Sequence, residues 1–151
     1  MHVRKFRKTD AIQVSGMIKR TFRALILKPY SKQSVEAQIK GNSPKSLIEK
    51  ANKIKYFVAV EKNKIFGIGG YDTKKVRTFF VEPKLQGKGI GKMIINRVLS
   101  EAKKDNLKSL KCWSTFYAEK FYKHYGFKKI KKIKVKFKDT PIIFVEMIKK
   151  L

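Results

Sequence analysis

The sequence has little that could crosslink the chain or bind a metal ion. Its 151 residues include one cysteine, Cys112, and two histidines, His2 and His124. A single thiol cannot form an intrachain disulfide, and these three side chains are too few for a structural zinc site. We therefore expect no metal, and we expect hydrophobic packing alone to stabilise the fold.

Long apolar segments are also missing. The longest, such as Ala24 to Leu27 and Pro141 to Val145, are far shorter than the roughly 20 residues that a membrane helix needs. The charged amino terminus, Met1 to Lys8, is not followed by the apolar run of a signal peptide. These features predict a cytoplasmic protein without a membrane partner, and the length fits one domain over residues 1–151.

Acidic residues are scarce. Asp and Glu number 11 against 38 Lys and Arg, which gives a formal net charge of +27. A field of this size favours anions such as phosphorylated cofactors or nucleic acid. The lysines are dispersed rather than gathered in a block, which is typical of a solvated surface and not of a nucleic-acid arm. Both interpretations remain open from charge alone.

The densest basic stretch is Lys128 to Lys138. From Lys132 onward, lysines alternate with Ile133, Val135 and Phe137. This period of two predicts a half-buried strand whose lysines face water.

Hydrophobic periodicity predicts the order β, helices, ββ, β, α, β, α, ββ. The predicted strands are Met1 to Arg7, Tyr56 to Glu61, Ile65 to Tyr71, Val76 to Val81, Leu110 to Ser114, Lys132 to Phe137 and Ile142 to Met147. The predicted helices run from a Thr9 or Asp10 cap through Leu25, over Ser34 to Lys40, from Ser43-Pro44 onward, from Ile90 to near Asp105-Asn106, and over Ala118 to Tyr125.

A glycine-rich stretch joins the fourth strand to the helix that begins at Ile90. It reads Gln86-Gly87-Lys88-Gly89-Ile90-Gly91-Lys92. A strand that turns through glycines into a helix leaves backbone N–H groups unpaired at the positive end of the helix dipole, and this geometry attracts phosphate. The missing side chains would let a diphosphate approach the backbone, with Lys88 and Lys92 at the rim. A tight loop without a ligand remains the alternative.

Two other phosphate-binding loops do not fit. A Walker A loop would need glycine and Ser or Thr where this chain has Gln86 and Met93. A dinucleotide fingerprint beginning at Gly87 would need glycine where the chain has Lys92, and no βαβ unit precedes it.

The segment Gln86 to Gly91 resembles the acetyl-coenzyme A signature of the GCN5-related N-acetyltransferase (GNAT) family, commonly Q/R-x-x-G-x-G/A after a strand. Phe79 to Pro83 looks like the family's fourth strand and its exit, and Ala118 to Phe127 resembles its A-x-x-F-Y-x-x-x-G-F segment. The resemblance covers nearly all of the chain and is strongest from Val76 to Phe127. It is weak across Thr9 to Asn52, where the family varies with substrate.

This resemblance implies an α/β (α+β) fold. Its central sheet would be mixed and mostly antiparallel, with about seven strands splayed between strands 4 and 5 and flanked by helices. The pantetheine arm of acetyl-CoA would pair with the open edge at Phe79, Phe80 and Val81, and the pyrophosphate would sit on Gln86, Gly87, Lys88, Gly89, Ile90, Gly91 and Lys92. A backbone amide near Val81 would polarise the thioester.

Tyr122 matches the family's usual proton donor for the departing thiolate, and Tyr125 is the alternative. Read without the family, Tyr122 would be a core aromatic residue. Glu82 is the candidate general base, acting through water, with Asp72 as an alternative and a structural role open for both. Cys112 is expected to be a packed thiol, so transfer should be direct.

The sequence therefore predicts an acetyl-CoA-dependent N-acetyltransferase acting on a primary amine of a small molecule, protein or peptide, as a monomer or homodimer. Two alternatives remain. One is a non-catalytic nucleic-acid-binding or acetyl-CoA-sensing protein on the same fold. The other is a toxin-like acetyltransferase that acts on aminoacyl-tRNA, which would explain the charge.

Overall fold

A computed structural model describes residues 1–26, 30–137 and 140–151. The described residues form seven strands in two antiparallel sheets. The strands are β1 His2–Lys5, β2 Lys55–Glu61, β3 Lys64–Tyr71, β4 Val76–Val81, β5 Ser109–Ser114, β6 Lys128–Phe137 and β7 Thr140–Lys150. The first sheet has the order β1-β2-β3-β4, and the second has the order β5-β7-β6.

Five α-helices flank the strands within the described part of the chain. They are α1 Ala11–Thr21, α2 Lys32–Lys40, α3 Pro44–Lys50, α4 Ile90–Lys104 and α5 Glu119–His124. A π-helical turn, Phe22–Ile26, extends α1. No helix among the described residues is long and apolar enough to cross a membrane.

The first sheet is buried on both of its faces. Along β2, Tyr56, Val58 and Val60 belong to the cluster that includes α1 to α3, whereas Phe57 and Ala59 belong to the cluster that includes α4. Because successive side chains of a strand point to opposite faces, one strand supplies both clusters. The continuous apolar run of β2 is explained by this double burial.

Helix α4 lies unusually close to β3. A Cβ atom at Gly69 would lie 2.5 Å from Cγ2 of Ile94 and 2.8 Å from Cδ2 of Phe79, so a larger residue would displace both side chains. The buried face of α4 consists of Ile90, Ile94, Ile95, Val98, Leu99 and Ala102, as its periodicity predicts. The helix ends at Lys104 with Asp105 as its cap, and Asn106 then adopts a positive φ of 62°, as expected for a helix end.

The start of α1 differs from expectation in its chemistry. Asp10 precedes the helix, but its side chain accepts no hydrogen bond from the N–H groups of α1 and instead takes part in a capping box around the preceding 3₁₀ turn, Lys8–Asp10. Arg4 donates to both carboxylate oxygens at 2.8 and 3.0 Å, and the N–H of Arg7 donates at 2.7 Å. Asp10 therefore ties β1 to α1, a role that local spacing does not reveal.

Strand β6 begins four residues earlier than predicted. The pairing with β7 shifts between Lys129 and Lys131, and the intervening Ile130 is 45% exposed. This bulge breaks the alternation on which the prediction rests. Lys132, Lys134 and Lys136 face solvent as predicted, whereas the side chain of Phe137 and all of Lys138 lie outside the described residues.

Candidate active site

The two sheets meet at one end of β4 and β5 and then separate. The N–H of Lys111 donates to the carbonyl of Lys74 at 3.0 Å, and Lys75 forms a parallel bridge with Lys111. Beyond this point, from Arg77 to Val81, no neighbouring strand among the described residues pairs with the outer edge of β4. This splay creates the cleft that holds the candidate site.

A bulge in β4 shapes the wall of the cleft. The register with β3 shifts between Ile68 and Gly70, and opposite this shift Thr78 adopts a φ of +51°. Positive φ is unfavourable for a β-branched residue, and such strain concentrates at functional sites. The phenol of Tyr56 hydrogen-bonds Oγ1 of Thr78 at 3.1 Å, which helps to hold the bulge.

The hydrogen bonds between β3 and β4 determine which backbone groups of β4 face the cleft. The N–H of Glu82 donates to the carbonyl of Phe66 on β3 at 2.8 Å. Because alternate residues of an antiparallel strand point toward the same neighbour, the N–H of Val81 points away from β3 and into the cleft. The carbonyl of Val81 also faces this side, where it accepts from Oγ1 of Thr21 and Nε2 of Gln86, each at 3.4 Å.

The glycine-rich loop closes one end of the cleft. Gly87 and Gly89 have φ values of +79° and +86°, and Gly89 immediately precedes α4. A Cβ atom at either position would meet no protein atom within 4 Å, so open space lies against the backbone there. The unpaired N–H groups of the first turn of α4 and the lysines of the loop make this space attractive to a phosphate group.

The third glycine of the motif has a packing role. A Cβ atom at Gly91 would lie 3.0 Å from Cε2 of Phe121, so α5 packs closely on the first turn of α4. Gln86 links the same elements, since its Oε1 accepts a hydrogen bond from the phenol of Tyr117. The loop is thus held by β4 on one side and by the α5 region on the other.

The cleft contains a cavity of about 760 Å³, which is within the usual range for cofactor sites. Of the residues predicted to bind the cofactor, the cavity is lined by Phe79, Phe80, Val81, Gln86, Gly87, Gly89, Ile90, Gly91 and Lys92. Lys88 is exposed and lies outside this lining.

Both candidate proton donors line the cavity. Tyr122 is 6% exposed, and its ring packs against those of Phe79, Phe121 and Phe127 at centroid distances of 6.0, 5.4 and 5.4 Å. Burial, with a smaller contribution from the neighbouring thiol of Cys112, raises the pKa of Tyr122 well above 10. Tyr125 is half-buried and packs against Phe121 at 4.9 Å.

The two candidate bases lie outside the cavity lining. Glu82 forms a bidentate ion pair with Arg20, with oxygen-to-nitrogen distances of 2.7 and 3.2 Å. Asp72 accepts from the N–H groups of Lys74 and Lys75 and pairs with Arg77 at 3.2 Å. Both carboxylates therefore have structural partners, and the Arg20 pair joins α1 to the exit of β4.

Cys112 is buried within β5, as expected for a packed thiol. Burial raises the pKa of Cys112 to about 12, so the side chain stays a thiol at neutral pH. A protonated thiol is a poor nucleophile, and this favours direct transfer.

The end of the cavity away from the glycine loop holds residues that were not identified from the sequence. Lys50, Lys75 and Arg77 line it, together with Gln38 and Trp113. They come from α2, α3, β5 and the start of β4 with the residue before it, and no local motif joins them. Only the placement of α2 and α3 beside the cleft brings them together.

A family model described as an acetyltransferase (GNAT) domain matches residues 26–151. The chain belongs to the GNAT family. Among curated proteins, an uncharacterised N-acetyltransferase of Methanocaldococcus jannaschii is 32% identical over 81 residues. That match covers 52% of this chain and 36% of the relative, so the chain spans about a third of the relative's length.

Solved structures share the GNAT fold over nearly the whole chain. A GCN5-related N-acetyltransferase from Rhodopseudomonas palustris superposes with a TM-score of 0.91 at 16% identity, covering 99% of this chain and 94% of that one. The PaiA N-acetyltransferase of Thermoplasma acidophilum, solved in complex with coenzyme A, gives 0.82 at 18% identity and covers 99% and 98%. A ribosomal-protein-S5-alanine acetyltransferase from Vibrio fischeri gives 0.70 at 23% identity and covers 98% and 91%.

The predicted family is confirmed by the family model, and the predicted α+β fold split between strands 4 and 5 is confirmed by these neighbours. GNAT enzymes use acetyl-CoA, which is the cofactor predicted from the sequence. The acceptor amine is not identified by any of these similarities.

Proposed function

We propose that this GNAT-family chain is an acetyl-CoA-dependent N-acetyltransferase that acts as one domain over residues 1–151. It transfers the acetyl group directly to a primary amine. The observation that carries this proposal is the cavity itself. It joins an unpaired edge of β4, a loop with open space against Gly87 and Gly89, and a buried tyrosine in one cleft.

The residues present fit coenzyme A. Backbone groups at Phe79, Phe80 and Val81 would bind the pantetheine arm as an added strand. The space against Gly87 and Gly89 would hold the diphosphate on backbone N–H groups, where any side chain would intrude. Gln86, Ile90 and Gly91 shape this loop, Lys92 adds charge in the first turn of α4, and Lys88 adds charge at its rim.

When bound, acetyl-CoA supplies a thioester as the acyl donor. The N–H of Val81 points into the cleft, where it would stabilise negative charge developing on the carbonyl oxygen. The phenol of Tyr122 would donate a hydrogen bond and then its proton to the departing sulfur. Its raised pKa keeps it protonated before transfer, and its burial excludes competing water.

Glu82 would assist the loss of the amine proton through water. Its ion pair with Arg20 and its position outside the cavity lining favour an indirect role over direct contact with the amine. Water that reaches the cleft would complete the proton path. The pair also holds α1 against the exit of β4, so Glu82 contributes to positioning.

Acetyl transfer is tested with purified protein, acetyl-CoA and a panel of primary amines. Thiol release reports turnover, and mass spectrometry detects the gain of one acetyl group on the acceptor. We expect amine-dependent thiol release above the rate of hydrolysis, together with an acetylated product. Binding of coenzyme A without release on any amine would favour an acetyl-CoA sensor instead.

A further inference from the structure

One end of the cavity is cationic, whereas the other is formed by the glycine loop. Lys75 and Arg77 lie at the start of β4, and Lys50 approaches from the end of α3. We call these three residues the cationic end. Arg77 lies four positions before Val81 on β4, at most about 13 Å for fully extended strand and less across the bulge at Thr78, and the glycine loop follows Val81 in the other direction. The cationic end is therefore separated from the loop that would hold the diphosphate.

The cationic end carries charge that its surroundings only partly balance. No Asp or Glu lines the cavity among the described residues. Asp72 pairs with Arg77 from outside the lining at 3.2 Å, and Glu146 accepts a hydrogen bond from Nε1 of Trp113 at 3.1 Å. Both of these acids lie outside the cavity lining, so no carboxylate among the described residues occupies the cavity wall beside the cations.

Both lysines of the cationic end are held where an ammonium group is disfavoured. Lys50 donates to the carbonyl of Gly41, and burial together with Arg77 lowers its pKa. Nζ of Lys75 lies 3.2 Å from the ring centroid of Trp113, and its pKa is also lowered, chiefly by burial. Three cations converging on a partly desolvated space repel one another, and an anion bound among them would remove that repulsion.

The side chains of the cationic end are hydrogen-bond donors. The ammonium groups of Lys50 and Lys75 and the guanidinium of Arg77 carry N–H groups and no acceptor. They are therefore matched by a ligand group that has several acceptor oxygens. A carboxylate or phosphate group offers such oxygens, whereas a polyamine offers none.

We propose that the cationic end binds an anionic group of the acceptor, so that the acceptor is a small primary amine bearing a carboxylate or phosphate group. This inference rests on the proposed acetyl transfer. The glycine loop would hold the diphosphate, the bulge at Thr78 and Tyr122 would flank the reacting atoms, and Arg77, Lys75 and Lys50 would orient the acceptor. Polycationic amines would be rejected by like-charge repulsion.

The test compares kcat/KM for matched amines. The pairs are phosphoethanolamine against ethanolamine and glycine against glycinamide, with spermidine as the cationic amine. We expect a preference of about 10- to 100-fold for the charged member of at least one pair, in line with hydrogen bonds to a charged group. The phosphate and carboxylate pairs also distinguish which anion is recognised. Equal or better rates with the neutral member of both pairs, or with spermidine, would overturn the proposal.

Two variants locate the preference. Arg77→Gln and Lys50→Gln should each reduce the ratio of kcat/KM for the charged amine over its neutral partner by about tenfold or more. Lys134→Gln, at an exposed position on β6 outside the cavity lining, is the matched control and should leave the ratio unchanged. A ratio that both cavity variants leave intact would place recognition elsewhere and refute the assignment.

A binding measurement separates this inference from the proposed function. Trp113 is the single tryptophan of the chain and lies beneath Lys75, so its fluorescence should respond to an anion bound at the cationic end. A saturable response to phosphoethanolamine or glycine, lost in Arg77→Gln, would support the subsite even if no acetyl transfer occurred. Acetylation of neutral amines without any such response would leave the transferase standing and refute the anion subsite.

Discussion

Replacing Tyr122 by phenylalanine removes one hydroxyl group and keeps the ring. The ring retains its packing against Phe79, Phe121 and Phe127. The hydroxyl has no hydrogen-bond partner among the described residues, so its loss should lower the free energy of unfolding by no more than about 1 kcal/mol. The change therefore isolates chemistry from folding.

The expected loss of rate follows from the role of a general acid. Such a group contributes about 10²- to 10⁴-fold, so kcat should fall at least about 100-fold, equivalent to about 2.7 kcal/mol in the activation free energy. Coenzyme A is proposed to bind through backbone groups of β4 and the glycine loop, and not through this hydroxyl. Its dissociation constant should therefore stay within about twofold of the wild-type value. Because burial raises the pKa of Tyr122 well above 10, ionisation of the donor should cause no loss of wild-type rate between pH 7 and 9.

The assay is steady-state thiol release at saturating amine, with coenzyme A affinity measured by calorimetry and folding by thermal unfolding. Tyr125→Phe is the matched control, since Tyr125 lines the same cavity and caps the carboxyl end of α5, the helix that carries Tyr122. We expect it to change kcat by less than about threefold. Similar losses in both variants, or a Tyr122 variant as active as wild type, would refute the assignment of the donor.

Three further outcomes follow from the described contacts. Asp10→Asn should lower the free energy of unfolding by about 3 kcal/mol at pH 7, because it breaks the pair with Arg4. Burial alone would raise the pKa of Asp10, but hydrogen bonds from Arg4 and a backbone N–H lower it overall, so this deficit should be full above pH 4 and shrink below it in denaturant titrations at several pH values. Glu82→Gln should reduce kcat more than Arg20→Gln if the carboxylate draws a proton through water, and equal small losses would leave Glu82 a purely structural role. Native Cys112 should resist thiol reagents at pH 8 and react only after unfolding, whereas rapid labelling of the folded protein would contradict its burial.

Local chemistry made much of the fold predictable. The buried face of α4 repeats at helical spacing, and β4 is bounded as its apolar run predicts. The loop at Gly87 and Gly89 could be predicted because positive φ and open backbone both demand glycine. Each of these features is specified by residues that are neighbours in the sequence.

Other parts of the site depend on contacts between distant segments. Arg20 and Glu82 are 62 positions apart in the sequence, so their ion pair cannot be predicted from local spacing. This pair is one reason to assign Glu82 an indirect role in proton transfer. Lys50 and Arg77 come together only because α3 packs beside β4 at the cleft. The sequence motif indicates only a ligand-binding reason for glycine at position 91. The structure adds a packing reason, the close contact of Gly91 with Phe121. No local pattern carries this information.

Backbone N–H groups of the glycine loop are proposed to bind the diphosphate of acetyl-CoA, and calorimetric titration with coenzyme A measures this binding. Gly89→Ala places a methyl group in the open space before α4, whereas Gly126→Ala introduces comparable backbone strain, at φ +90°, outside the cavity. We expect saturable binding to the wild type and to Gly126→Ala, with affinity reduced at least about tenfold in folded Gly89→Ala. Absence of heat with the wild type, or equal affinity in both variants, would contradict this proposal.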